Sequence, residues 1–159
     1  MKSNNVPASV WRNPVHFAAF GFGAGAAKYA PGTFGTLAAV PLYLVMRDMA
    51  IGWYMMMTVL LFMLGVWLCE RTSRDIGVHD HSGIVWDEIV GYLVTMAAAP
   101  RGWEWVVLGF LLFRLFDIWK PWPVKWCDRK IHGGLGIMVD DVVAALYAWL
   151  SSQLISFFW

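Results

Sequence analysis

The chain has 159 residues, a formal net charge of +1, and 59% hydrophobic against 14% charged residues. Typical globular chains have roughly 45–50% and about 25% of these two classes. The composition therefore argues against an ordinary soluble protein, and the near-neutral charge argues against nucleic acid as a partner. A mean hydropathy of +0.55, with eleven Trp and ten Phe, predicts an integral membrane protein whose aromatic residues meet the membrane interface.

The length fits one domain, and no repeat or linker divides the chain. We predict a single all-α, membrane-embedded domain over residues 1–159, a compact bundle of about five membrane helices. Residues 1–13 are polar and interrupted by prolines, and we expect a flexible N-terminal segment there. The two cysteines, Cys69 and Cys127, have neither metal-ligand spacing nor a disulfide pattern, so both are predicted to be buried thiols.

Six apolar stretches follow one another along the chain. The first, Val15–Ala27, is short and rich in glycine, which favours a re-entrant or interfacial helix over a full span. The Pro-Gly pair of KYAPGTFGT predicts a turn, after which Thr33 or Thr36 would cap the next helix. The five predicted membrane helices are Phe34–Met46, Met49–Cys69, Ile84–Ala99, Trp103–Trp119 and Val142–Trp159.

Basic residues are distributed unequally between the two ends of these five helices. One side holds Lys2, Arg12, Lys28, Arg71, Arg74, Arg114, Lys120, Lys125, Arg129 and Lys130. The other side holds only Arg47 and Arg101. Because Lys and Arg favour the cytoplasmic side, the crowded end should face the cytoplasm, with the N-terminus inside and Trp159 outside. The same topology collects nearly all the acidic residues on the cytoplasmic face.

The stretch DIGVHDHSGIVWDE, residues 75–88, is unusually polar for this chain. It lies between two apolar segments and places Asp80, Asp87 and Glu88 near His79 and His81. Oxygen donors without a run of cysteines suit a hard cation such as Mg²⁺ better than a structural zinc. The histidines could act as acid, base or metal ligand. The alternative for the whole stretch is a solvated loop between helices.

Two predicted helices each begin with an adjacent pair of acids, Asp87–Glu88 and Asp140–Asp141. Acids are favoured at helix N-termini by the helix dipole, so each pair also has a purely structural interpretation. Two pairs converging on one face would form an oxygen site for one or two Mg²⁺ ions. The predicted metal ligands are Asp80, Asp87, Glu88, Asp140 and Asp141.

Arg114 and Asp117 are three residues apart and share a helix face. An ionisable group inside a membrane helix costs about 2.5–3.5 kcal/mol near the centre, which favours a functional role, although a mutual ion pair is the alternative. With Lys28 and Lys120, Arg114 offers cations for a phosphate. No familiar nucleophile motif is present, so covalent catalysis is unsupported. The catalytic candidates are His79, Asp80, Asp87, Glu88 and Asp117.

Four ordered motifs, GxGxxKYAPGTFGT, GVHDHSGIVWDE, FRLFDIWKPWP and HGGLGIMVDD, together resemble the phosphatidylglycerophosphatase A family of bacterial inner-membrane lipid phosphatases. The resemblance runs from about Asn13 to the end of the chain. It implies an all-helical fold, a multi-pass location in the inner membrane, Mg²⁺ dependence, and hydrolysis of phosphatidylglycerophosphate to phosphatidylglycerol in phospholipid biosynthesis. The polar residues that match the family are Lys28, Asp80, Asp87, Glu88, Arg114, Asp117, Lys120, Asp140 and Asp141.

The expected partners are this lipid substrate and the surrounding membrane lipids, with no obligate protein partner evident. Two alternatives remain open at this point. One is a phosphatase for another phospholipid or for a polyprenyl phosphate. The other is a small anion transporter that uses the same intramembrane charges without hydrolysis.

Overall fold

The computed structural model describes residues 6–158. Within this range the chain is all-helical, with no strand, which confirms the predicted fold class. The α-helices are α1 (Pro14–Ala19), α2 (Pro31–Met46), α3 (Ile51–Ile76), α4 (Trp86–Thr95), α5 (Trp103–Trp119), α6 (Val124–Lys130) and α7 (Gly133–Phe158). Short 3-10 helices at Ala8–Trp11 and Ala24–Ala26 lie on either side of α1.

The predicted N-terminal helix is broken into two pieces. Helix α1 ends at Ala19, and three left-handed residues, Gly21 to Gly23, then reverse the chain toward the second 3-10 helix. Of the predicted flexible segment, residues 1–5 lie outside the described residues. Residues 8–11 form the first 3-10 helix, in which Val10 is fully buried.

Helix α2 begins at Pro31 rather than at the threonines that were predicted to cap it. Proline suits the first helical position because its missing N–H would be unpaired there and its φ is already helical. Thr36 lies inside the helix, where its hydroxyl donates to the carbonyl of Gly32 at 2.9 Å. The predicted capping role of Thr33 or Thr36 is therefore wrong, whereas the predicted end at Met46 is confirmed.

Helix α3 continues about two turns beyond its predicted end. Ion pairs one turn apart stabilise this polar extension, with Glu70 and Arg74 at 2.6 Å and Arg71 and Asp75 at 3.0 Å. Gly77, with a φ of 73°, ends the helix in the left-handed conformation that glycine adopts most readily. The polar residues that follow the predicted end at Cys69, as far as Ile76, are thus helical.

Helix α7 starts at Gly133, well before the predicted Val142, and α6 was not predicted at all. The glycines of HGGLG are helical because they let α7 approach α3 closely. A Cβ on Gly134 would collide with the backbone carbonyl of Val66. Asp140 and Asp141 therefore lie inside a helix and do not open one, so the helix-start interpretation of this acid pair is wrong.

The long helix α7 packs against α3, α4, α5 and α6, and the short helix α4 is buried between α2, α3 and α7. At this junction, tyrosine hydroxyls donate hydrogen bonds to backbone carbonyls. Tyr54 donates to Leu93 at 2.6 Å and Tyr92 donates to Val106 at 3.0 Å. The first turn of α4, which carries Asp87 and Glu88, is therefore enclosed by the neighbouring helices.

Two helices, α3 and α7, are long and apolar enough to cross a membrane, and α2 is a shorter apolar helix. Only 22% of the most apolar part of α3 is buried inside the protein, whereas the core helix of a soluble protein is mostly buried. The prediction of five membrane helices stays a prediction beyond these two. Cys69 and Cys127 are both free and buried, as predicted.

Candidate active site

Three predicted metal ligands come together where the first turn of α4 meets α7. Oxygen atoms of Asp87, Glu88 and Asp141 all lie within 4.8 Å of one another. We call these three residues the carboxylate cluster. Asp87 and Asp141 are only 7% and 4% exposed. Three acids this close repel one another when ionised, and burial weakens the solvent screening that would relieve the repulsion.

The carboxylate cluster has the features of a cation site. Three of its oxygens, Asp87 Oδ1, Glu88 Oε2 and Asp141 Oδ2, are buried without a hydrogen-bond partner. Buried polar atoms normally have partners. Unpaired carboxylate oxygens converging from two helices fit the oxygen-ligand chemistry of Mg²⁺.

Arg114 and Asp117 on α5 join this cluster. Arg114 Nη1 donates a short hydrogen bond to Asp117 Oδ2 and lies 3.9 Å from Glu88 Oε1. The arginine side chain is 15% exposed, and a buried charge of this kind is tolerated only when it is paired. Arg114 and Asp117 are thus an ion pair, but one that is continuous with the predicted metal ligands.

Helix α2 packs closely beside the carboxylate cluster. A Cβ on Gly32 would collide with Glu88 Oε1 and would lie 3.0 Å from Arg114 Nη1. Only a residue without a side chain allows α2 to approach this closely. The sequence marked this glycine-containing motif but did not single out Gly32, because its partners lie on two other helices.

Lys120 and Asp140 form a second polar group next to the cluster. Lys120 Nζ donates to Asp140 Oδ2 at 2.7 Å and to Asp128 Oδ1 at 2.9 Å. Although burial opposes the charged amine, the hydrogen bonds and charges of these acids raise the pKa of Lys120. Asp140 therefore pairs with a lysine, and it is not a member of the carboxylate cluster. Asp128 was not among the predicted site residues.

Asp80 and His79 lie beside this second group. With Asp128 and Asp140 they line a small cavity of about 20 Å³. His79 is exposed, and its Nε2 accepts a hydrogen bond from the backbone N–H of Gly133 at 3.0 Å. The structure thus places these two predicted catalytic residues near Asp140 and the start of α7, and it does not group either with the carboxylate cluster.

Glu70 also contacts the start of α7, and sequence reasoning missed it. Its carboxylate accepts a short hydrogen bond from the backbone N–H of Gly134. Acids at helix N-termini are stabilised by the unpaired N–H groups and the helix dipole. Because this acid belongs to α3, no pattern within the α7 sequence could reveal it.

Lys28, a predicted phosphate-binding residue, is exposed in the connection that precedes α2. Its ammonium group lies over the ring of Tyr29, 5.6 Å from the ring centre. Of the three predicted phosphate-binding cations, the structure thus brings only Arg114 into contact with the carboxylate cluster. Lys120 pairs instead with Asp140, the α7 residue that precedes Asp141.

Fold and site together define an all-helical protein in which a buried set of acids lies beside an arginine. The model of the family described as "Phosphatidylglycerophosphatase A" matches residues 17–156. The chain belongs to this family, and it is therefore an enzyme, a phosphatase.

Two similar proteins that carry the family's name support this membership. A phosphatidylglycerophosphatase A of Escherichia coli K12 is 48% identical over 135 residues, covering 84% of this chain and 78% of the relative. One from Haemophilus influenzae is 47% identical over 138 residues, covering 86% and 85%. A protein of Bacteroides thetaiotaomicron, provisionally named a phosphatidylinositol-3-phosphatase, is 38% identical over 138 residues, covering 82% and 86%. No solved structure matches the chain significantly.

Proposed function

We propose that the protein hydrolyses the terminal phosphate of phosphatidylglycerophosphate in a Mg²⁺-dependent reaction that yields phosphatidylglycerol and inorganic phosphate for phospholipid biosynthesis. The substrate is the one named for the relatives from Escherichia coli and Haemophilus influenzae. The observation that carries the proposal is the buried carboxylate cluster in direct contact with Arg114. A cation site beside a guanidinium suits a phosphomonoester, whose hydrolysis demands very large acceleration.

The residues that would hold Mg²⁺ are Asp87, Glu88 and Asp141, since their unpaired oxygens converge. When bound there, the ion supplies positive charge to the phosphate oxygens and activates water. Asp140 and Asp80, the two other predicted ligands, lie in the neighbouring polar group with Lys120. We infer that these two residues support the site from outside and do not bind the ion directly.

Arg114 is the residue we assign to the phosphate. Its planar guanidinium can donate to two phosphate oxygens at once, and Asp117 and Glu88 fix its orientation. In the reaction water attacks phosphorus and the bond from phosphorus to the glycerol oxygen breaks. A proton leaves the water and another must reach the departing oxygen. Asp117, paired with Arg114 beside the carboxylate cluster, is our candidate for moving one of these protons.

Lys120 and Lys28 complete the proposed phosphate-binding set at a greater distance. An amine has three N–H donors, and Lys120 uses two of them on Asp128 and Asp140. Lys28 precedes the start of α2, whose Gly32 meets Glu88 and Arg114. Both lysines add positive charge that would attract an anionic lipid headgroup.

We further propose that the chain is a multi-pass protein of the bacterial inner membrane with this site facing the cytoplasm. Large apolar side chains are exposed along α3, α5 and α7, including Leu60, Met63, Leu111 and Leu150. Such a continuous apolar surface marks contact with another apolar phase. At the end of the bundle away from the site, Arg101 pairs with Asp48 at 2.8 Å. Arg47 also lies beside Asp48, at 3.9 Å, so both basic residues of the predicted outer side are at that end.

The direct experiment is phosphate release from phosphatidylglycerophosphate by the purified protein, with EDTA and after Mg²⁺ is restored. Metal-dependent release with formation of phosphatidylglycerol is expected, and its absence would contradict the proposal. Competition with phosphatidylinositol 3-phosphate is the important comparison, because one relative carries that provisional name. A polyprenyl phosphate tests the other alternative substrate. Anion flux into liposomes without hydrolysis would favour a transporter.

A further inference from the structure

The turn after α1 has an unusual backbone. Gly21, Phe22 and Gly23 are consecutive left-handed residues with φ values of 56°, 57° and 93°. Glycine adopts this conformation readily, but it is unfavourable for a bulky residue such as phenylalanine. The turn nevertheless holds Phe22 outward, with 63% of its surface exposed. Phe22 thus has an unfavourable backbone conformation and a mostly exposed ring, which indicates a role at the surface.

Phe22 is part of an exposed aromatic row formed by Trp11, Phe17 and Phe22. The rings of Trp11 and Phe17 are 6.1 Å apart and those of Phe17 and Phe22 are 6.0 Å apart. Phe22 also meets the edge of Trp86 at 5.9 Å. Large aromatic side chains gain most from burial, so a contiguous exposed set marks a surface that something apolar covers.

The aromatic row is fastened to the segment that positions the carboxylate cluster. The backbone N–H of Val85 donates to the carbonyl of Ala19 at 3.0 Å. A Cβ on Gly21 would lie 2.7 Å from Val85 Cγ2, and one on Gly25 would collide with the carbonyl of Gly83. Residues 83–85 lead directly into the first turn of α4. The row therefore belongs to the same end of the bundle as the site.

The segment that carries the aromatic row runs beside α3, from the charged end of that helix toward its apolar middle. His16, in α1, hydrogen-bonds Asp75 near the end of α3 at 3.2 Å. Trp86, which meets Phe22, donates to the carbonyl of Leu61 at 3.0 Å. At 1.5 Å per residue, Leu61 lies about 21 Å along α3 from Asp75. The segment that carries the row therefore lies beside the apolar part of α3.

We propose that the aromatic row is the surface on which the acyl chains of the lipid substrate lie while its phosphate reaches the carboxylate cluster. This rests on the proposed function, which it deepens by assigning the apolar half of the substrate. Charge complementarity supports a lipid over a second copy of the chain. Arg12, which precedes α1, and Lys28, which follows the second 3-10 helix, are both exposed and would attract an anionic headgroup. The row itself carries no charge.

A lipid-contact measurement tests the proposal without catalysis. Phe22→Cys, in a protein whose buried Cys69 and Cys127 are replaced by alanine, is labelled with bimane and reconstituted. Brominated phosphatidic acid, a phosphomonoester lipid, should quench this label more strongly than brominated phosphatidylcholine at equal fraction. The control label is attached through Phe157→Cys. Phe157 is exposed near the C-terminal end of α7, and a label there should show no such preference. Equal quenching at position 22 would mean bulk lipid only, and no quenching would mean that protein covers the row. Either result overturns the proposal.

A kinetic comparison gives the second readout. For Phe22→Ala, the ratio of kcat/KM for long-chain substrate to that for a six-carbon-chain analogue should fall severalfold, mainly through KM. Phe22→Trp should restore the ratio, and Phe157→Ala should leave it at the wild-type value. An unchanged ratio in Phe22→Ala would overturn the acyl-chain assignment. Failure of the wild-type protein to hydrolyse either lipid would instead refute the proposed function, and the quenching result would still decide the lipid contact.

Discussion

Arg114 Nη1 lies 3.9 Å from Glu88 Oε1, so an arginine on α5 and an acid on α4 meet inside the bundle. Arg114 also donates to Asp117 on its own helix, and Glu88 lies beside Asp141 of α7 in the carboxylate cluster. One arginine thus stands next to acids from three helices. This arrangement places a fixed positive charge beside a group of buried carboxylates, as the proposed phosphate site requires.

Arg114→Lys keeps the charge at this position but removes the planar fork that binds two oxygens at once. We expect a large fall in kcat with the fold retained, measured as phosphate release together with thermal stability in detergent. If the arginine only balances Asp117, the lysine should preserve activity. The double variant Arg114→Ala/Asp117→Ala separates these roles, since an active and well-folded double variant would show that the pair is structural.

Gly32→Ala should damage the site while leaving most of the fold intact. The new Cβ would collide with Glu88 Oε1 and crowd Arg114, so both groups must move. We expect kcat to fall by more than tenfold, an effect of about 1.4 kcal/mol or more. The matched control is Gly52→Ala on α3, where a Cβ meets nothing within 4 Å. Equal activity of the two variants would contradict the close approach of α2.

Glu70→Ala removes the acid that accepts a hydrogen bond from the start of α7. Loss of a helix-capping acceptor typically costs about 0.5–2 kcal/mol, so we expect a lower midpoint of thermal unfolding. The control is Arg74→Ala. Arg74 pairs with the same acid but is 75% exposed, and exposed ion pairs contribute about 0–1 kcal/mol. A loss in Arg74→Ala as large as that in Glu70→Ala would refute the capping role.

The proposed topology places Ser82 and Arg101 at opposite membrane faces. Single cysteines introduced at these positions, in the background lacking Cys69 and Cys127, should react with an impermeant thiol reagent from opposite sides. Ser82 should be reached only from the cytoplasm, because it lies at the site end of the bundle. Labelling of both positions from one side of intact membranes would be incompatible with the proposed orientation.

The sequence was informative wherever a local signal determined the structure. The all-α class, the end of α2 at Met46, and the position of Asp87 and Glu88 in the first turn of α4 followed from apolar runs and from acids at a helix start, although α4 begins at Trp86 and not at the predicted Ile84. The polar end of α3 did not follow from the apolar run, which ends at Cys69. Glu70–Arg74 and Arg71–Asp75 nevertheless have the spacing of helical ion pairs.

The glycines show why other features could not be predicted. Those of HGGLG precede the predicted start of the last helix at Val142, yet Gly134 is a helical residue on which α3 packs. Whether a glycine serves a turn or a close helix contact depends on a partner distant in the sequence. The same limitation applies to the metal ligands. Five acids were plausible, and only the fold separates Asp141, beside Asp87 and Glu88, from Asp140, which pairs with Lys120.

The central claim is that Asp87, Glu88 and Asp141 hold the ion, and the thermal stability of Asp141→Asn during a Mg²⁺ titration tests it most directly. Mg²⁺ should raise the unfolding midpoint of the wild-type protein, since an ion that binds only the folded state stabilises it. Asp140→Asn should keep most of this rise. Asp141→Asn should lose both the rise and Mg²⁺-dependent phosphate release, yet be no less stable than the wild type without metal, because one repelling carboxylate is gone. A normal Mg²⁺ response and normal phosphate release in Asp141→Asn would contradict the account.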